Sequence, residues 1–285
     1  MATDLIETPP PTKAYIVRHG SIRYLGEFQA PEDLLLNRFD SVVIQSERGT
    51  EIGQVLTHSH PQAIKQIPNA TTGTILRKAT SQDEEHARYL QSAHQSRCDR
   101  ARAYVQEHNL AMQIVDEECL FGGERQIFYF LAETRIDFRD LVKSLAKEFQ
   151  KRIELRQIGT RDEAKLLADY GDCGRTVCCN SHMITMPPVS MRMAKMQKAT
   201  LDPTKVSGRC GRLKCCLRFE QDVYEEFQAQ LPPIASLVVT TKGKGKVLAQ
   251  EVLARKVLIE FEDGRKIPVQ LHEILSRIHQ GKPQE

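Results

Sequence analysis

Two nine-residue stretches of this chain share one pattern. Gly171-Asp172-Cys173-Gly174-Arg175-Thr176-Val177-Cys178-Cys179 and Gly208-Arg209-Cys210-Gly211-Arg212-Leu213-Lys214-Cys215-Cys216 both read Gly-x-Cys-Gly-Arg-x-x-Cys-Cys. Cys173, Cys178 and Cys179 recur 37 positions later as Cys210, Cys215 and Cys216, so six of the eight cysteines lie in the repeat. A thiolate is a soft ligand, and a cysteine cluster without neighbouring carboxylates selects zinc, iron–sulfur clusters or copper over magnesium or calcium. The C-x4-C step from Cys173 to Cys178, repeated from Cys210 to Cys215, suits zinc and also matches the opening step of plant-type iron–sulfur loops. Vicinal cysteines converge on a single ion only with backbone strain, whereas the separate irons of a cluster can take one thiolate each. If each half supplies three thiolates to its own 4Fe-4S cluster, each cluster lacks one ligand. If four of the six hold one cluster, two are spare. The spacing leaves zinc and both cluster arrangements open.

The other residues of the repeat have physical roles to match. Gly174 and Gly211 free the backbone to curl, so that N–H groups can approach cluster sulfurs or an anion. Arg175 and Arg212 offset the charge of thiolate-ligated iron and are expected to lower thiol pKa values. Between Cys173 and Arg218 nine basic side chains stand against Asp202 alone, a local charge of +8 in a chain whose net charge is only +3. Within that segment, Arg192, Lys195 and Lys198 are expected on a methionine-bearing helix as a contact face for nucleic acid or an acidic protein partner.

The elements that must position these residues are read from periodicity. Segments 14–18, 21–28, 41–45 and 50–57 are short, rich in β-branched and aromatic residues, and separated by turn signals, predicting a small antiparallel β unit over 13–60. His58 and His60 follow in His58-Ser59-His60-Pro61; with no acid or cysteine beside them, a linker is expected instead of a metal pair. Ser81-Gln82-Asp83-Glu84 reads as a capping box with Ser81 as N-cap, opening one long helix whose apolar stripe includes Cys98 as a core residue. Strand patterns at 111–121 and 126–132 flank the hairpin signal Gly122-Gly123, and Cys119 is expected to pack. A helix over 137–150, a strand over 152–158 and a short helix from Gly159 to about Asp169 follow. This order predicts a split α/β sandwich of ferredoxin-like type over 75–170, with helices covering one face of the sheet. The cysteine-rich segment occupies 171–230. Strand patterns at 237–241, 246–250, 256–261 and 266–269, with Gly243 and Gly245 separating the first pair, predict an SH3-like small β barrel and polar tail over 231–285. The fold class is α+β, preceded by a proline-rich, disordered lead over 1–12.

At 285 residues the chain needs no disulfide staples. Its first residues lack a signal-peptide pattern, and no window approaches a membrane span. A cytoplasmic protein with reduced thiols is therefore expected, in which clustered cysteines mean metal or redox chemistry. A dithiol oxidoreductase is disfavoured, because there is no C-x-x-C and a disulfide between neighbours strains the backbone. Lys242-Gly243-Lys244-Gly245-Lys246 lacks the spacing of a phosphate-binding P-loop.

With these residues in view, the chain resembles the RicT (YaaT) family, the iron–sulfur-binding subunit of the bacterial Ric regulatory complex. The resemblance spans roughly 14–275. It is carried by Asp137-Phe138-Arg139-Asp140-Leu141-Val142, by Arg152-Ile153-Glu154-Leu155-Arg156-Gln157-Ile158-Gly159, by Arg161-Asp162-Glu163-Ala164-Lys165 and by both Cys-Gly-Arg-x-x-Cys-Cys motifs. It implies a non-enzymatic regulator binding 4Fe-4S clusters through Cys173, Cys178, Cys179, Cys210, Cys215 and Cys216; zinc stays the alternative metal from the cysteine chemistry alone. It also implies partners: other Ric-type subunits completing cluster ligation, an endoribonuclease that starts mRNA turnover, and in spore formers a phosphorelay. Direct contact with RNA is a further expectation from the charge, and a zinc-stabilised nucleic-acid-binding module is the competing class.

Overall fold

The computed structural model describes residues 13–168 and 170–278. The expected disordered lead over 1–12, the expected helix end at Asp169 and the polar tail over 279–285 lie outside the described residues. The chain is α+β and divides into two compact units, Met1–Thr185 and Met186–Glu285.

The first unit opens with a closed five-stranded barrel. Its strands are β1 (Lys13–His19), β2 (Tyr24–Ala30), β3 (Ser41–Ser46), β4 (Gly49–His58) and, after the short helix α1 (Pro61–Lys65), β5 (Thr71–Lys78); the order is β1-β2-β5-β3-β4. Residues two apart on a strand share a face. Tyr15 with Val17, Phe28 with Ala30, and Val42 with Ile44 therefore point inward together and pack with Val55 and Ile75. Each of the valine, isoleucine and phenylalanine side chains contributes roughly 1.5–3 kcal/mol on burial. The expected antiparallel unit ended at residue 60, whereas the barrel is closed by β5, which runs parallel to β2 and antiparallel to β3. In place of the expected linker, His58 ends β4 with its ring 4.6 Å from Tyr15, and His60 Nδ1 caps α1 by accepting from Gln62 N.

A three-stranded sheet with helices follows. The capping box is one residue earlier than read, with Thr80 as N-cap and Asp83 at the third helical position. The long helix is broken at Ala93 into α2 (Ser81–Ser92) and α3 (His94–Glu107). Strands β6 (Gln113–Cys119) and β7 (Arg125–Leu131) form the expected hairpin; after α4 (Arg139–Phe149), β8 (Arg152–Gln157) pairs parallel to β7. The continuous apolar run of β7 is buried on both faces. Phe128 and Phe130 pack under α3 and α4 with Ala101, Val105, Leu141 and Leu145, while Ile127 and Tyr129 pack with Ile22 of the barrel end. Helix α5 (Thr160–Leu167) leads to the first cysteine motif, which ends in the one-turn helix α6 (Cys178–Ser181).

The second unit begins with α7 (Met191–Met196), α8 (Pro203–Val206) and the fifteen-residue α9 (Cys216–Gln230). Ala194, Val206 and Leu217 form their shared core. Strands β9 (Leu237–Thr240), β10 (Gly243–Glu251), β11 (Lys256–Phe261), β12 (Lys266–Gln270) and β13 (Ile274–Ile278) make an antiparallel sheet in the order β12-β11-β10-β9-β13. Gly243 and Gly245 lie inside β10 instead of separating two strands, and β13 is a strand the periodicity did not show. The closed barrel of the chain is thus in the N-terminal unit, and its C-terminal strands form a five-stranded sheet. Among the described residues no helix is long and apolar enough to cross a membrane.

Candidate metal centre

The two cysteine motifs fold into the same local loop. In the first, Gly171 N donates to Arg175 O at 2.8 Å and Gly174 N donates to Gly171 O at 3.0 Å, with a bridge between Tyr170 and Thr176. In the second, Gly208 N donates to Arg212 O at 2.8 Å and Gly211 N donates to Gly208 O at 2.9 Å, with a bridge between Ser207 and Leu213. Gly174 and Gly211 have φ of +74° and +73°, and open space surrounds the position a Cβ would take at each. Glycine is thus required for its backbone angle and not for room. The expected curl is present, and the N–H groups of the two glycines close these turns.

Each loop then delivers its vicinal pair to the start of a helix. Cys178 and Cys179 open α6, and Cys215 is the N-cap of α9 with Cys216 its first residue. The helices differ in length for a local reason. After the first pair α6 ends at Ser181, and Pro187 and Pro188, which supply no N–H, bar any helix from running on past Met186. The second pair runs into Leu217, Gln221, Tyr224, Phe227 and Leu231 at helical spacing, a signal the sequence carries directly behind the cysteines.

Of the six loop cysteines, Cys173 is exposed and the other five are half-buried. The first motif belongs to the first unit and the second motif to the second. Burial pushes the Cys216 thiol up, helped by Cys215 and Glu220, and the opposing cation is Lys214. Arg175 and Arg212 are exposed. Sequence reasoning missed Lys165 on α5. Burial lowers its pKa, and the fields of Asp162 and Cys179 oppose that shift, so Lys165 feels the charge of the first vicinal pair.

Arg192 and Lys195 are exposed on α7, as expected of a contact face. Lys198 lies beyond the helix in left-handed backbone, φ 51°, so the three bases do not share one helix. Of the remaining cysteines, Cys98 is 1% exposed and packs as expected, whereas Cys119 is half-buried and its Sγ accepts from Lys151 Nζ at 2.9 Å.

The fold and site together describe an α+β protein that carries one cysteine loop in duplicate. Residues 73–158 match the PSP1 C-terminal conserved region, and residues 188–231 match the third domain of PSP1-like proteins. The chain is 41% identical to the stage 0 sporulation protein YaaT of Bacillus subtilis (strain 168), over 83% of this chain and 86% of that protein. The chain belongs to the YaaT family. It is also 30% identical to an uncharacterized protein of Schizosaccharomyces pombe, over 42% of this chain and 20% of that one. No solved structure matches it.

Proposed function

We propose that the chain is a non-enzymatic regulatory adaptor that holds iron–sulfur clusters in its two thiol loops and acts with partner subunits on mRNA processing by an endoribonuclease. In spore formers the same adaptor would act on a phosphorelay; its Bacillus relative is named as a stage 0 sporulation protein. The observation that carries this reading is the repetition of one hydrogen-bonded loop with three cysteines in each copy. The donors fit the group: they are soft, exposed or half-buried, and nearby carboxylates are largely absent from the motifs. Cys173, Cys178 and Cys179 would hold one 4Fe-4S cluster and Cys210, Cys215 and Cys216 another, each lacking one protein ligand that another Ric-type subunit supplies. Bound clusters would make the adaptor responsive to oxidants and iron supply.

Anaerobic purification tests this. The chain should be brown, absorb near ~400 nm as thiolate-ligated clusters do, and give a 4Fe-4S Mössbauer signature. A colourless chain with stoichiometric zinc in the loops would instead support the second reading, a zinc-stabilised nucleic-acid-binding module. The exposed Arg192, Lys195 and Lys198 favour that reading, and they serve an adaptor equally well as a contact surface for RNA or a partner.

A further inference from the structure

We propose that His94, Cys98 and Asp116 form a separate metal site in the first unit, taking one zinc ion or a similar borderline divalent transition metal. His94 and Cys98 are one turn apart on α3, so both side chains meet β6 on one helix face. There Asp116 completes a set whose ligand atoms all lie within 4.8 Å of one another. His94 Nε2 is 2.5 Å from an Asp116 carboxylate oxygen and 3.8 Å from Cys98 Sγ. A tetrahedral zinc ion with bonds of about 2.0–2.3 Å spaces its ligand atoms roughly 3.3–3.7 Å apart. Small side-chain adjustments therefore separate the present arrangement from a coordinating one.

The donor chemistry narrows the ion. Imidazole, thiolate and carboxylate together suit zinc and its neighbours and do not suit magnesium or calcium. Two anionic ligands balance a dication, so the loaded site is neutral, as a position built on a sulfur that is 1% exposed requires. A second observation points the same way. Glu117, 2% exposed, lines the same cavity of about 540 Å³ as His94 and Asp116. Arg97 Nε and Gln126 Nε2 donate to its Oε1, while its buried Oε2 has no hydrogen-bond partner among the described residues. Arg97 balances the Glu117 charge at 2.9 Å, and the remaining buried oxygen is a polar group in that cavity to which water held by a bound ion would donate. Three protein ligands leave a fourth position for solvent from the cavity. The ion would clamp α3 onto β6.

The proposal is independent of clusters in the thiol loops, and its test keeps the two apart. Full-length chain with all six loop cysteines changed to Ser is loaded with zinc, dialysed and assayed for bound metal. One zinc per chain is expected, and none after adding His94→Ala or Cys98→Ser. If the six-fold variant does not fold, the anaerobically reconstituted wild-type chain is used, with its loops holding iron. Cobalt(II) should then give tetrahedral ligand-field bands and a single-thiolate charge-transfer band that Cys98→Ser abolishes while iron content stays the same. No retained metal in folded chains, or metal binding unaltered by His94→Ala and Cys98→Ser, overturns the proposal and leaves His94 and Asp116 an ion pair only.

Discussion

Gly174 and Gly211 stand 37 positions apart in sequence and close the same turn in two separate units, with φ of +74° and +73°. Since a Cβ at either would meet open space, replacing one by Ala isolates the cost of the backbone angle, about 1–2 kcal/mol. Gly174→Ala and Gly211→Ala should each loosen one thiol loop and reduce its iron retention during dialysis. Asn, which tolerates left-handed backbone better, should restore much of it. Iron and sulfide analysis on the anaerobic protein reads both effects.

Because the loops are duplicated and self-contained, their metal contents should separate. Changing Cys173, Cys178 and Cys179 together to Ser is expected to leave about half of the iron, and the equivalent change at Cys210, Cys215 and Cys216 the other half. Loss of all iron from either triple variant, with folding intact by circular dichroism, would mean that the six thiols serve one cluster.

The barrel and the three-stranded sheet of the first unit are joined by a buried ion network. Arg48 pairs closely with Glu118, which also accepts from Tyr129 Oη at 2.6 Å, and its other nitrogen lies 3.2 Å from Glu51. The Arg48 and Glu118 side chains are 12% and 10% exposed, so truncating one strands a buried charge. Arg48→Leu should cost about 3–5 kcal/mol, read as a fall in the urea midpoint. Changing Arg48 and Glu118 together to apolar residues should cost less than the single substitution.

Glu51 gives this network a pH dependence. Burial raises its pKa, but the hydrogen bond with His19, the field of Arg48 and the hydrogen bond from Ser46 outweigh burial, so the net shift is downward. A depressed carboxylate contributes stability that is present above its unfolded value of about 4.3 and lost as pH falls through the folded value. Acid unfolding should therefore begin below about pH 4.3, and Glu51→Gln should flatten that limb of the stability curve. A curve unchanged by Glu51→Gln would place the acid-sensitive group elsewhere.

The exposed bases Arg192, Lys195 and Lys198 should act through charge alone. If they meet phosphates, changing all three to Ala lowers affinity for single-stranded RNA and reduces the log–log salt slope by about 2, without altering bound iron. An unchanged slope assigns them to an acidic protein partner.

Much of this was legible in the sequence, for a reason particular elements make plain. The β6–β7 hairpin, α4 and β8 announce themselves because their side-chain periods are short and their turn signals local. Helix boundaries were less secure: one capping residue separates Ser81 from the true N-cap Thr80, and both positions can supply a hydroxyl. Strand β5 was passed over because only Ile75 along it is buried, so its apolar pattern is weak. Helix α9 had a clear stripe, obscured by the cysteines at its start.

The duplicated thiol loop was determined by sequence alone, since it depends on hydrogen bonds between residues three or four apart and on a glycine at one left-handed position. Such interactions travel with a short peptide and repeat wherever it repeats. Tertiary structure alone decided three other things: that β5 closes a barrel, that the two loops fall in different units, and that His94 and Cys98 of a helix meet Asp116 of a strand. Each depends on strand pairing or helix packing between distant segments. There the partner is selected by the combined burial of many side chains and leaves no local signature.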